Sequence, residues 1–151
     1  MTNFTHWTYH VDEQNIGWLE LDVAGSSVNI LRREVMAEWA EVMTHIAQDR
    51  TLAGLCFHSG KERGFVYGAD IPEFDDLTSA EDVYELIEQA DAILSAVEAL
   101  PCPTVCGIDG VAAGGGLEIA LAFDRIVVTG GAQTRLGFPE IHLGLMPGYG
   151  G

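Results

Sequence analysis

The chain is 151 residues long, 48% hydrophobic, and carries a formal net charge of −16. That is one domain's worth of polypeptide with enough apolar material for a sizeable core. The charge argues against nucleic acid or an anionic membrane surface as a partner, and no window approaches the roughly 20 uninterrupted apolar residues of a membrane span.

Met1 is followed by a polar segment with neither an apolar signal core nor a basic transit-like stretch, so a cytoplasmic protein is expected. Cys56, Cys102 and Cys106 are odd in number and sit among apolar residues, which reads as buried, reduced thiols. Cys102 and Cys106 lack a matching second pair, and the five histidines form no ligand pattern, so no metal site is expected.

In chain order, residues 7–11 and 16–22 alternate or run apolar around Asp12-Glu13-Gln14-Asn15 and predict a hairpin. Asn29 is a candidate cap for the helix that follows. There, Leu31, Val35, Trp39, Val42, Met43 and Ile46 recur at helical spacing as a core stripe. Residues 52–57 read as a buried strand feeding a glycine- and charge-rich loop over 59–70. A second amphipathic helix spans about 79–99, with Val83, Leu86, Ile87, Ala90, Ile93, Leu94 and Val97 inside and Ser79 with Asp82 as a capping pair. Leu100-Pro101-Cys102-Pro103 stops it, and 104–108 is the next strand. Gly114-Gly115-Gly116 then opens a short apolar helix to about residue 123, before a strand at 125–128. This alternation predicts an α/β fold.

Ten acidic residues fall between Asp70 and Glu98, and no lysine or arginine lies between Arg63 and Arg125. Most of this run reads as a solvated helix face.

Three consecutive glycines let a backbone approach a ligand closely, because no Cβ intervenes. A helix beginning there aims its free N–H groups and positive dipole end at that ligand. Glu118 lies within the first turn or so, and Glu140 can return from a later loop. Together they supply an oxyanion-stabilising donor and two carboxylates able to exchange protons, which a reaction beside a carbonyl requires. Each part also has a plainer reading: a tight turn for the glycines, a helix N-terminal charge for Glu118, and a loop ion-pair partner for Glu140.

Three segments occur in a distinctive order: Phe65-Val66-Tyr67-Gly68-Ala69-Asp70-Ile71; then Ile108-Asp109-Gly110-Val111-Ala112-Ala113-Gly114-Gly115-Gly116-Leu117-Glu118; then Leu136-Gly137-Phe138-Pro139-Glu140 running on to Leu145-Met146-Pro147-Gly148-Tyr149-Gly150-Gly151. With them the chain resembles the crotonase (enoyl-CoA hydratase/isomerase) superfamily from about Trp7 onward. The stretch Asp22-Val23-Ala24-Gly25-Ser26-Ser27-Val28-Asn29-Ile30-Leu31 is similar to the N-terminal hydratase part of bifunctional fatty-acid oxidation proteins. The resemblance implies a spiral of ββα units. Residues 1–151 are then read as the N-terminal portion of a crotonase-like domain, truncated before the C-terminal helices that help build trimers.

The resemblance further implies trans-2-enoyl-CoA hydration, with Glu118 holding and deprotonating water and Glu140 delivering the C2 proton. The backbone amides of Ala69 and Gly115 would form the oxyanion hole, supported by Gly68, Asp70, Gly114 and Gly116. Lys61, Arg63 and Arg32, with Arg33 beside them, are the cations nearest the motifs in sequence and the candidate contacts to the coenzyme A phosphates, with ordinary surface charges as the plainer reading of all four. Coenzyme A belongs to the substrate, so no separate cofactor is expected. The implied partners are an acyl-CoA thioester and either copies of the same chain or a larger multienzyme complex. A Δ3-Δ2-enoyl-CoA isomerase is the nearest rival, since it can manage with the second glutamate alone. Another crotonase-like acyl-CoA reaction, such as decarboxylation, thioester hydrolysis or ring cleavage, is a further one. A non-catalytic acyl-CoA-binding or assembly fragment is the rival of a different class. Three departures from the family pattern stand out: Asp109, Pro72, and a Glu118–Glu140 spacing lengthened in the turn over 129–134.

Overall fold

The structure, a computed structural model, describes residues 4–62 and 64–151. In chain order these form β1 (Trp7–Val11), β2 (Ile16–Leu21), α1 (Arg33–Gln48), β3 (Gly54–Ser59), α2 (Ala80–Glu98), β4 (Thr104–Ile108), β5 (Val111–Ala113), α3 (Gly115–Leu121), β6 (Arg125–Val128) and β7 (Arg135–Gly137). Two 3-10 segments, Ile71–Asp76 and Pro139–Leu143, lie in the connections.

The expected hairpin pairs Trp7 with Leu21 in antiparallel register. Its turn is built by Asp12, whose Oδ1 accepts from the amides of Gln14 at 2.8 Å and Ile16 at 3.0 Å. Asn15 takes the left-handed conformation there, at φ 61°, which asparagine tolerates better than most residues. The remaining strands add in parallel to give the order β1-β2-β3-β4-β6. Parallel neighbours need long crossovers, and the three helices lie within them.

Helix α1 buries Val35, Trp39, Val42, Met43 and Ile46, as the helical spacing requires. It begins at Arg33, however, so Leu31 precedes it and Asn29 is not its cap; the cap position is Arg32, with no side-chain bond. A missing cap costs about 1 kcal/mol, whereas each fully buried large apolar side chain contributes about 1.5–3 kcal/mol. Burial therefore decides where α1 lies. Helix α2 carries the full capping box, with Ser79 accepting from the Asp82 amide and Asp82 accepting from the Ser79 amide.

The inward face assigned to α2 holds only for its second half. Ala90, Ile93, Leu94 and Val97 are buried, while Val83 is exposed and Leu86 and Ile87 are half-buried. The first half of the helix overhangs a cavity and not the core.

Phe57 on β3 is the centre of the aromatic core, with ring centroids 5.6 Å from Trp7, 5.1 Å from Phe65 and 5.6 Å from Phe123. Cys102 and Cys106 are buried as expected, but Cys56 is only half-buried. No helix among the described residues is long and apolar enough to cross a membrane.

Behind the main sheet lies a second, narrow layer of short extended segments. Leu31 bridges Ala69, Val66 bridges Ala112, and β5 pairs in parallel with β7. The later turns of the chain thus repeat a pattern: one strand to the main sheet, one short segment to this layer, one helix or 3-10 turn back. This is the mixed α/β arrangement that the alternation of elements predicts.

Candidate active site

The narrow layer carries the motif residues. Gly68, at φ +97°, turns the chain so tightly that a Cβ would stand 2.9 Å from the Ala113 carbonyl oxygen. Only glycine combines that dihedral with that approach. Residue 68 is thereby brought against the start of α3: the Gly115 nitrogen lies 3.7 Å from the same point. The Leu31 amide donates to the Gly68 carbonyl at 2.8 Å, and the Asp70 amide donates to the Leu31 carbonyl at 3.1 Å. In such a parallel bridge the intervening residue, Ala69, turns its own N–H to the opposite side. Gly115 is the first residue of α3, where an amide has no acceptor within the helix. Among the described residues, neither amide donates to a protein acceptor.

Glu118 sits on the first turn of α3 and is 3% exposed. Its Oε1 accepts from the backbone amides of Tyr149 at 2.6 Å and Gly151 at 2.9 Å. Glu140 enters from the 3-10 segment Pro139–Leu143. Its Oε1 packs so closely over Gly114 that a side chain at 114 would collide with it. Its Oε2 is buried and accepts no hydrogen bond from any described residue. A buried acceptor in that condition is costly unless something donates to it, so this oxygen is open to a hydrogen bond from a bound ligand.

All four groups line one cavity of about 410 Å³. Its remaining walls are mostly apolar and include Phe74, Leu77, Val83, Ile87 and Met146. Tyr149 closes one side. Burial, then the carboxylates of Glu118 and Glu73, push its phenol pKa up. A site of this kind combines two amide donors and two carboxylates with mostly apolar walls.

The other expected residues divide. Gly116 lies against Val66, beneath the cavity floor. Asp70 turns from the cavity to accept from Arg32 Nε at 2.8 Å. Lys61 is not brought to the cavity: its ammonium donates to the carbonyls of Val23 and Ser26, each at 2.7 Å, and pairs with Asp22. Arg63 lies outside the described residues. Asp109 accepts from Thr129 Oγ1 at 2.5 Å, and the turn over 129–134 is largely exposed and away from the cavity.

Two contributors escaped sequence reasoning. The amide pair of Tyr149 and Gly151 reaches Glu118 from 31 and 33 positions away, and no local pattern signals such a closure. Asn29, fully buried, accepts from the Val23 amide and donates to Leu21, Ser59 and Phe65. It ties the start of the narrow layer to β2 and to the loop before Ala69.

The sequence profile of the enoyl-CoA hydratase/isomerase family matches residues 13–151. The chain belongs to that family. It is 39% identical over 145 residues to the fatty acid oxidation complex subunit alpha of Vibrio parahaemolyticus, covering 96% of this chain and 21% of that one. With the subunit of the same description from Shewanella loihica it shares 42% over 139 residues, covering 92% and 20%. The chain thus spans about a fifth of the length of these curated relatives. Among solved structures, it superposes on an enoyl-CoA hydratase from Bacillus anthracis with a TM-score of 0.84 at 25% identity, covering 96% of this chain and 55% of that one. An enoyl-CoA hydratase subunit from Geobacillus kaustophilus gives 0.80 at 28% identity, covering 97% and 54%. The family, and with it the crotonase-type fold, agrees with the motif reading.

Proposed function

We propose that this chain carries the site of an enoyl-CoA hydratase, adding water across the double bond of trans-2-enoyl-CoA thioesters in fatty-acid β-oxidation. The observation that carries the reading is the convergence of Glu118, Glu140 and the Ala69 and Gly115 amides on one apolar cavity. The relatives' description as subunits of a fatty acid oxidation complex supports the metabolic setting and assembly into a larger complex.

In this reading the thioester oxygen lies between the amides of Ala69 and Gly115. Addition at C3 pushes charge onto that oxygen, and each donor contributes about 3 kcal/mol to its stabilisation. Glu118, its Oε1 fixed by two amides, orients and deprotonates the attacking water. Glu140 supplies the proton to C2 from its otherwise unpartnered oxygen. The apolar wall made by α2 and by Leu143, Leu145 and Met146 receives the acyl chain.

The test is hydration of crotonyl-CoA by the protein at its full natural length, followed as loss of the conjugated thioester absorbance. Glu140→Gln should lower kcat about 10²–10⁴-fold, the range of a positioned acid–base group. No hydration by the folded protein, with a 3-enoyl-CoA still converted to the 2-enoyl form, would make it an isomerase. Silence in both assays would leave acyl-CoA binding or another crotonase-type reaction.

A further inference from the structure

We infer that Arg32 is a positioning residue, which through Asp70 holds the Ala69 amide aimed into the cavity, and not a contact to substrate phosphate. The inference rests on the acyl-thioester reading of the site above.

The direction of the Ala69 N–H depends on residues 68–70 keeping their register against Leu31. Three backbone hydrogen bonds set that register. The Tyr67 amide donates to the Asn29 carbonyl at 2.9 Å, and two more flank the Leu31–Ala69 bridge, of which the Asp70 amide at 3.1 Å is the last beyond Ala69 among the described residues. Arg32, the residue after Leu31, adds a side-chain bond from its Nε to Asp70 Oδ2, the residue after Ala69. Both sides of the bridge are thus clamped one position beyond it. Exposures of 34% for the Arg32 side chain and 20% for Asp70 leave the pair partly shielded from solvent. The clamp continues along the 3-10 segment. The Glu73 amide donates to the Asp70 carbonyl at 3.0 Å, and Glu73 Oε2 accepts from the Arg33 amide at 3.0 Å. Arg32 and Arg33 therefore grip the loop at two points, one through a side chain and one through the backbone.

A half-exposed ion pair contributes little to global stability. Misplacing a reacting group by about an ångström can cost about 10²-fold in rate. A positioning role therefore predicts a loss of rate out of proportion to any loss of stability.

The experiment uses the full-length protein as wild type, Arg32→Ala and Arg32→Lys. It measures kcat and KM for crotonyl-CoA and for crotonyl-pantetheine, which lacks the coenzyme A phosphates. In parallel, the red shift of a bound 4-aminocinnamoyl-CoA reports how strongly the site polarises a thioester carbonyl. For Arg32→Ala we expect kcat to fall about tenfold or more with both substrates, and the red shift to shrink. Arg32→Lys should restore part of each. If Arg32→Ala does not fold, the lysine variant decides, with an intermediate kcat and an intermediate shift as the supporting result.

A rise in KM confined to the coenzyme A substrate, with the red shift intact, would make Arg32 a phosphate contact and overturn the inference. Unchanged kcat and shift in Arg32→Ala would overturn it while leaving the site itself standing. A wild type that neither hydrates crotonyl-CoA nor shifts the probe would overturn the reading of the site and the inference together.

Discussion

Gly116→Ala separates packing from propensity at the site. Residue 116 is inside α3, so alanine there gains about 1 kcal/mol of helix propensity over glycine. Against that, its Cβ would collide with the Val66 carbonyl oxygen and would stand 2.7 Å from Val66 Cβ. Val66 cannot easily yield, because its amide donates to Val111 and its carbonyl accepts from Ala113, fixing it to β5. Overpacking against a fixed neighbour costs about 3 kcal/mol, the upper end of the usual range, which leaves a net loss near 2 kcal/mol. For a domain of about 150–250 residues that lowers Tm by about 4–8 °C. Since Val66 and Ala69 share one loop, the same displacement should reduce turnover in the proposed hydration, by about 10²-fold if it reaches an ångström. The assay is thermal unfolding of Gly116→Ala beside Gly130→Ala, whose Cβ meets nothing within 4 Å; the control should lie within about 1 kcal/mol of wild type. A Gly116→Ala protein that melts at or above the wild-type temperature would refute the packing argument.

Phe57→Ala removes the ring on which Trp7, Trp39, Phe65 and Phe123 converge and should cost about 3–5 kcal/mol in denaturant unfolding. Ser79→Ala deletes the N-cap of α2 and should cost about 1 kcal/mol, seen as a lower denaturant midpoint at unchanged slope. The Asp82 carboxyl is held below its ordinary pKa by the Thr78 amide first, then by Ser79. Its contribution is therefore complete above the ordinary value of about 3.9 and is lost as pH falls through the depressed folded value. Acid titration of stability should weaken correspondingly in Asp82→Asn, and an identical acid limb in both proteins would exclude the capping box as a source. Burial raises the Cys106 thiol strongly, so alkylation in the native state should be far slower there than in denaturant, read by peptide mass.

What was legible in the sequence follows the range of the interactions. The hairpin turn at Asp12, the stripe of α1 and the capping box of α2 are made by residues within a few positions of one another, and local pattern suffices. The start of α1 is not legible locally, because Asn29, which looks like a cap, directs its hydrogen bonds to Leu21, Val23, Ser59 and Phe65. The first half of α2 was placed inside because apolar spacing cannot distinguish a core from a cavity wall. Strands β5 and β7, three residues each, have too little periodicity to declare themselves and exist through their pairing with each other.

Glu118 and Glu140 were legible through their motifs, while the way each is held was not. The clamp on Glu118 closes from residues 149 and 151, and the packing of Glu140 on Gly114 joins two motifs separated by α3, β6 and β7. Glycine at 114 is therefore doubly constrained, by φ +52° and by the carboxylate resting on it. A sequence pattern records that constraint as one letter and gives neither cause.

The charge of the chain acquires a specific meaning once the cations are placed. An acidic protein proposed to bind an anionic thioester needs positive potential somewhere, and basic residues near the motifs are the obvious source. The structure commits Lys61 to two carbonyls and Asp22, and Arg32 to Asp70. Both cations thus stabilise the loops that shape the site. Among the described residues, the backbone N–H groups of Ala69 and Gly115 are the donors that the proposed reading places at the cavity, set by the turn at Gly68 and by the opening of α3. In the proposed reaction such donors would act at short range, on the oxygen that gains charge, without opposing the solvated acidic face of α2. An acidic exterior is therefore compatible with the proposed chemistry, because the two rest on different groups, side chains outside and backbone within.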